Sequence, residues 1–225
     1  PHAPVDPPPE YFHMYDGVEL PAPPEGDWCR DFDVPVSDVN APFGRVSRFE
    51  LDRLRRAYWG LISHIDQQIN RILIYLHRTG LARNTLIVFT SDHGELLGDH
   101  FLYRKTHAFE GSAKIPFIVY APDKFGFKRG QSSALPVTHM DIMPTLLEIA
   151  GAPIPSGVEG SSLAPILRGE TPEWREYVHG EHSGMSGQRQ HGGVQYVVGG
   201  RYKSVSYTHL RAHETVLDLV CRLLL

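Results

Sequence analysis

Residues 85–122 read TLIVFTSDHGELLGDHFLYRKTHAFEGSAKIPFIVYAP. Thr85 to Thr90 is a short, apolar, β-rich run, which predicts a strand covered on both faces. PFIVY, Pro116 to Tyr120, predicts a second. The segment between them is mixed and Gly-containing, and its first turn is SDHGE. Asp92 and His93 therefore stand at the C-terminal end of a strand, where open α/β sheets present ligands. Carboxylate oxygen suits a hard divalent cation and imidazole a borderline one, so the pair could supply two of several metal ligands. A plain polar turn after a strand can carry the same residues.

Outward from this stretch the pattern is helix, strand, long loop, strand, helix. Ser47 and Glu50 have capping-box spacing, and Leu51, Leu54, Tyr58, Leu61, Ile62, Ile65, Ile69, Ile72, Leu73 and Leu76 recur at steps of three and four up to Gly80. This predicts a helix of roughly 45 Å with one buried stripe. A second helix is expected from near Asp141, its N-cap, to Ala150, with Pro144 in the first turn and Gly151 as terminator. The implied fold is α/β with a parallel or mixed sheet. Residues 1–48 are Pro-rich and non-periodic, which predicts an extended segment without helix, packed through Tyr11, Phe12 and Tyr15. Two runs flanking Gly199-Gly200 predict an antiparallel hairpin. The expected organisation is thus 1–48 as a Pro-rich segment, 49–172 as the α/β part, and 173–204 as the start of a small antiparallel subdomain.

The chain has 225 residues, 41% hydrophobic and 21% charged, with a net charge of −4. That supports a packed core and excludes disorder, and it offers no basic patch for nucleic acid. Cys29 and Cys221 cannot build a disulfide scaffold. No apolar run reaches the length of a membrane span. The first residues, PHAPVDPPPEY, read as the interior of a longer protein, so compartment is not inferred. Residues 205–225 back-translate, in one frame, to a string that resembles a sequencing-library adapter with its index and primer site. This segment is set aside from fold reasoning, although His209, His213 and Glu214 have zinc-like spacing.

The stretch around SDHGE, with GDH at 98–100, Lys105, Glu110-Gly111-Ser112 and IPFIVYAP at 115–122, resembles the second signature region of the sulfatases. These belong to the alkaline-phosphatase-like superfamily. The resemblance extends to PHAPVDPPPEYFHMY, to the long helix with Tyr58 and Asp66, and to VTHMDIMPTLLEIAG, covering about residues 1–204. It implies an alkaline-phosphatase-like α/β sandwich, incomplete here, with a mixed sheet flanked by helices. The implied activity is hydrolysis of a sulfuric ester by a formylglycine nucleophile made from an upstream Cys or Ser in a C-x-P-S-R-type motif. Cys29, in DWCRDF, lacks that context and reads as an ordinary thiol, so no nucleophile is expected in this chain. By position, Asp92 and His93 become metal ligands, Lys105 a sulfate contact, and His2 a sulfate contact or proton donor. Half the metal site would lie upstream of Pro1.

Calcium is the ion the resemblance implies, with manganese or magnesium as alternatives, and the imidazole ligand favours manganese or another transition ion more than an all-oxygen site would. Implied partners are a small-molecule or carbohydrate sulfate ester and, for the full-length protein, a formylglycine-generating or anaerobic sulfatase-maturating enzyme. Phosphonate and phosphodiester hydrolases of the superfamily also carry Asp-His, which makes them the alternative; a non-catalytic pseudoenzyme is a further one. The chain alone is expected to be inactive. His107 and His182 are candidate pocket residues. His179, Glu181 and His182 form a possible second constellation, with a solvated loop as the plainer reading. Asp99 and His100 are expected to hold their loop by hydrogen bonding, and His64 and His77 to lie on the surface.

Overall fold

A computed structural model describes residues 1–37, 41–105, 107–182, 193–207, 215–217 and 223–224. His209, His213, Glu214 and Cys221 lie outside them. The chain forms two compact units, Pro1–Asn84 with Gly94–Lys105, and Thr85–His93 with Thr106–Leu225. No helix among the described residues is long and apolar enough to cross a membrane.

In the first unit the Pro-rich segment is not wholly extended. It makes one α-turn, α1 (Pro9–Phe12), and 3-10 turns at His13–Tyr15 and Asp27–Phe32. Proline did not forbid α1 because Pro9 occupies its first position, where an N–H would have no intrahelical acceptor. The aromatic anchors pack as expected. Tyr11 is buried and its hydroxyl bonds Gln67, while the Tyr15 hydroxyl meets Ser63 Oγ at 2.6 Å and its ring lies 5.4 Å from Trp59.

These partners lie on α2 (Arg48–Arg78), which opens with the capping box: Glu50 N–H donates to Ser47 Oγ (3.2 Å) and Ser47 N–H to Glu50 Oε2 (2.9 Å). Ser47 Oγ (2.7 Å) and then Ser47 N–H, both donating to Glu50 Oε2, hold the Glu50 carboxyl below its ordinary range. Gly80, left-handed at φ +74°, follows the helix end. Residues 18–21 have carbonyls and no ladder, and α2 arginines supply donors: Arg56 to Val18, Arg48 to Leu20 and Arg55 to Pro21. Gly60 is required where α1 meets α2, because a Cβ there would lie 2.8 Å from the Tyr11 carbonyl oxygen.

The expected buried stripe is only partly covered. Ala57 and Gly60 are buried, but Ile62, Ile65 and Ile72 are exposed. Residues 9–21 bond α2 between Arg48 and Gln67, on a side that leaves Ile62 and Ile65 of the same span exposed. His64 is half-buried against the Tyr11 ring at 4.9 Å, rather than fully on the surface; His77 is exposed.

In the second unit β1 (Ile87–Thr90) precedes α3 (Glu110–Ala113) and pairs antiparallel with β2 (Phe117–Tyr120), Ile87 opposite Tyr120 and Thr90 opposite Phe117. One face of this pair packs on the core of Phe117, Val119, Leu163, Ile166 and Leu167. The other face, with Phe89, Ile118 and Tyr120, is exposed, so the strands are not covered on both sides. The alternating burial of β2 follows from its period of two. β3 (Ser132–Ser133), α4 (Ile142–Ile149) and α5 (Ala164–Leu167) follow.

Next come β4 (Val178–His182), β5 (Val194–Gly199), β6 (Tyr202–Tyr207) and β7 (Thr215–Leu217), an antiparallel meander in order β4-β5-β6-β7. The hairpin turn is Gly200-Arg201 rather than Gly199-Gly200, since Gly199 already pairs with Tyr202. The first sheet is mixed: β8 (Leu223–Leu224) lies parallel to β2 and antiparallel to β3.

Candidate functional site

β1 ends at Thr90 and delivers Ser91, Asp92 and His93 into a turn that bonds to itself. Ser91 Oγ donates to the His93 carbonyl (2.5 Å) and His93 N–H to Asp92 Oδ1 (2.9 Å). The remaining carboxylate oxygen, Asp92 Oδ2, lies 3.5 Å from His93 Nε2, and the Asp92 side chain is 85% exposed. One ion bonded at about 2.0–2.4 Å to each of two donors spans that separation. Carboxylate and imidazole therefore fit a divalent cation as two neighbouring ligands. Among the described residues no group of three or more His, Cys, Asp and Glu side chains gathers as a fuller set.

The first unit brings His2 and Lys105 together across 103 positions, Lys105 Nζ to His2 Nε2 at 2.7 Å. His2 Nδ1 lies 2.8 Å from the Ala3 carbonyl oxygen, which can only accept. An ammonium can only donate, so Nδ1 carries the proton and Nε2 receives the Lys105 bond. Lys105 ends a loop whose base is fixed by Glu95, which accepts from the N–H groups of Leu97 (3.3 Å) and Arg104, and by Leu96 N–H to the Arg104 carbonyl (3.0 Å).

Leu97, His100, Phe101 and Arg104 are left-handed, with φ between 47° and 69°. Non-glycine residues hold that conformation only where surrounding bonds determine it. Asp99 and His100 serve the loop as expected: Asp99 N–H bonds Leu96 and His100 N–H bonds Pro24, both at 2.9 Å, and the His100 ring lies 4.7 Å from Trp28. Burial raises the Asp99 carboxyl to about 6, with Arg55 opposing, and lowers His100. Cys29 is buried with its thiol on the Gly26 carbonyl at 2.8 Å, the surroundings of a structural thiol.

His107 is buried, stacked on Phe109 at 6.1 Å, and its carbonyl accepts from Ser112 Oγ at 2.6 Å. His182 lies on β4 opposite Val194. The constellation with His179 and Glu181 does not form, because alternate residues of a strand face opposite sides: His179 and Glu181 share one face and His182 takes the other. The segment is a strand, not a solvated loop.

Three contributors escaped the sequence reading. His139 Nε2 donates to the Ser91 carbonyl at 2.7 Å. Asp141 sits at the expected N-cap position of α4 but is fully buried, and its carboxylate accepts from Arg175 Nη2 (2.6 Å) and Nη1 (2.9 Å) and makes no cap bond to the helix. Lys203 is 3% exposed and bonds the Ala108 carbonyl (2.6 Å) and Glu110 Oε1 (2.9 Å). A signal existed for Lys203, which shares the Val205 face of β6; His139 and Arg175 had none.

Residues 1–152 match the sulfatase family model. The chain belongs to the sulfatase family. Residues 98–220 also match the model of the N-sulphoglucosamine sulphohydrolase C-terminal region. This sulfatase chain is 44% identical over 186 residues to an arylsulfatase of Clostridium perfringens, covering 81% of the chain and 39% of that protein. It is 34% identical over 146 residues to an N-acetylglucosamine-6-O-sulfatase of Bacteroides thetaiotaomicron, covering 62% of the chain and 26% of that protein. Among solved structures, a phosphonate monoester hydrolase of Silicibacter pomeroyi superposes with a TM-score of 0.78 at 31% identity, over 92% of the chain and 46% of that protein. The sulfatase chain thus has the alkaline-phosphatase-like α/β fold and spans less than half the length of each of these three relatives.

Proposed function

We propose that the chain carries part of the active centre of a metal-dependent sulfuric ester hydrolase. The observation that supports this most directly is the Lys105–His2 contact, because a cation and an imidazole so far apart in sequence meet at 2.7 Å. Lys105 binds sulfate oxygens and neutralises charge that grows on them as the ester bond breaks. His2, with its Nδ1 proton committed to Ala3, presents Nε2 for proton exchange with Lys105 or with the leaving oxygen. Asp92 and His93 hold the divalent cation, for which calcium is the proposed ion and manganese or magnesium the alternatives. When bound, the cation would supply Lewis-acid stabilisation of negative charge.

The nucleophile is a formylglycine from a Cys or Ser of the complete protein, matured by a formylglycine-generating or anaerobic maturating enzyme. A sulfated amino sugar is the proposed substrate class, supported by the similarity to the N-acetylglucosamine-6-O-sulfatase. The test is turnover of an aryl sulfate by the complete protein, matured by co-expression. Lys105→Ala is expected to lower kcat at least about 100-fold, and Asp92→Asn to abolish metal uptake. Full turnover by both variants sinks the assignment.

A second reading, phosphonate monoester hydrolysis, is favoured by the superposition on the Silicibacter pomeroyi enzyme. Comparing kcat/KM on an aryl sulfate and an aryl phosphonate separates the two.

A further inference from the structure

The turn that presents Asp92 and His93 is held from a distance. His139 lies 48 positions away, and its Nε2–H donates to the Ser91 carbonyl at 2.7 Å. That carbonyl belongs to the peptide whose nitrogen is that of Asp92, so fixing the oxygen fixes the plane from which the Asp92 backbone departs. Ser91 Oγ then ties the His93 carbonyl, and Asp92 Oδ1 the His93 N–H.

His139 is exposed, and an exposed imidazole keeps one position only if its backbone is fixed. Here it is. His139 opens a 3-10 turn, His139–Asp141, whose last residue is fully buried. Asp141 accepts from Arg175 Nη1 and Nη2, from Ser161 N–H at 2.9 Å and from Thr138 N–H at 2.9 Å. Thr138 Oγ1 accepts from Met140 N–H at 3.0 Å, so the turn is tied at both ends. Gly160 presses against it: a Cβ there would lie 1.9 Å from the Met140 carbonyl oxygen.

We propose that His139 is a positioning residue for the Asp92–His93 ligand pair, acting through the Ser91 carbonyl from a turn locked by Asp141 and Arg175. This rests on the metal-dependent hydrolase reading. An outer hydrogen-bond partner of a metal ligand typically changes metal affinity 10–100-fold, and here the bond acts one residue from the ligand.

The test uses the complete, matured protein and the variants His139→Ala, His139→Gln and His139→Asn. Calcium and manganese affinities are measured by chelator competition without substrate, alongside kcat/KM on an aryl sulfate at saturating metal and the melting temperature of the metal-free protein. His139→Ala is expected to weaken metal binding about tenfold. His139→Gln, whose amide reaches the same carbonyl, is expected to stay within about threefold of the unsubstituted protein, and the metal-free melting temperatures are expected to agree.

If His139→Ala does not fold, Gln against Asn decides, because Asn is one methylene shorter than Gln and loses the bond. Unchanged affinity in Ala or Asn overturns the proposal, as does equal loss in Gln and Ala with a lowered metal-free melting temperature. Metal binding weakened as expected in a protein that hydrolyses no sulfate ester supports the positioning role and overturns the hydrolase reading. No metal uptake by the unsubstituted protein overturns both.

Discussion

Replacing Lys203 by Met removes one buried charge while keeping the apolar stem that packs around it. Nζ now bonds the Ala108 carbonyl and Glu110 Oε1, and lies 5.8 Å from the centre of the Tyr196 ring. Breaking a buried ion pair from one side costs about 3–5 kcal/mol when the remaining charge stays dry. Here the Glu110 side chain is 36% exposed, so water can reclaim it, and the residual cost is the unpartnered Ala108 carbonyl, about 1–3 kcal/mol. The balance is about 1–3 kcal/mol of local stability, or roughly 5- to 150-fold faster amide exchange in the peptide covering residues 107–114 if these open as a unit.

Lys114→Met is the internal control, since Lys114 meets the same carboxylate at 3.7 Å with a 40% exposed side chain. It is expected to cost at most about 0.5 kcal/mol, roughly a twofold change. Hydrogen exchange read by mass spectrometry on the complete protein measures both. If Lys203→Met accelerates exchange less than about threefold, or no more than Lys114→Met does, the buried cation does not hold this loop.

Asp99, raised to about 6 by burial, carries the opposite sign from a salt-bridged carboxylate. Its folded form binds a proton more tightly than the unfolded chain, so stability falls as pH rises from about 4 through 6; Asp99→Asn should raise the melting temperature at pH 7.5 and lose that advantage near pH 4. Ser47→Ala removes the α2 cap and should cost about 1 kcal/mol in a denaturant titration, with a smaller loss below pH 4, where protonating Glu50 already removes part of the unsubstituted protein's cap. His179→Ala with Glu181→Ala should leave KM within about twofold on an aryl sulfate, because both lie on the exposed face of β4; a larger rise would restore them as substrate contacts.

The capping box of α2, its terminating glycine and the two short strands were legible because each is a local pattern: a donor and acceptor three residues apart, a left-handed end, an apolar run. What failed was context. The stripe on α2 signals a helix with an apolar side, but periodicity does not reveal which of its positions residues 9–21 cover. Pro9 was read as a barrier when its position at the start of a turn made it permissive. Asp141 does stand at the N-cap position of α4, yet its charge answers an arginine 34 positions on and not the helix N–H groups. His179, Glu181 and His182 seemed clustered only along the chain, and the two-residue period of β4 divided them.

The chemistry-bearing residues and the residues that steady them follow different rules. Asp92 and His93 are adjacent, and their turn is a local device written in three consecutive residues. The restraints on the second unit's loops come instead from two cations near its C-terminal half, Lys203 buried and Arg175 half-buried. Arg175 closes on Asp141 behind His139, and Lys203 closes on Glu110 and Ala108 behind His107. Arg175 neutralises the fully buried Asp141 carboxylate, which would otherwise be costly to bury, whereas Lys203 is itself the buried charge and is paired with the partly exposed Glu110. A substitution at either cation is therefore expected to act on the geometry of groups it does not touch, which is why these two positions carry no motif: their requirement is a charge at the right depth, and many local sequences can supply it.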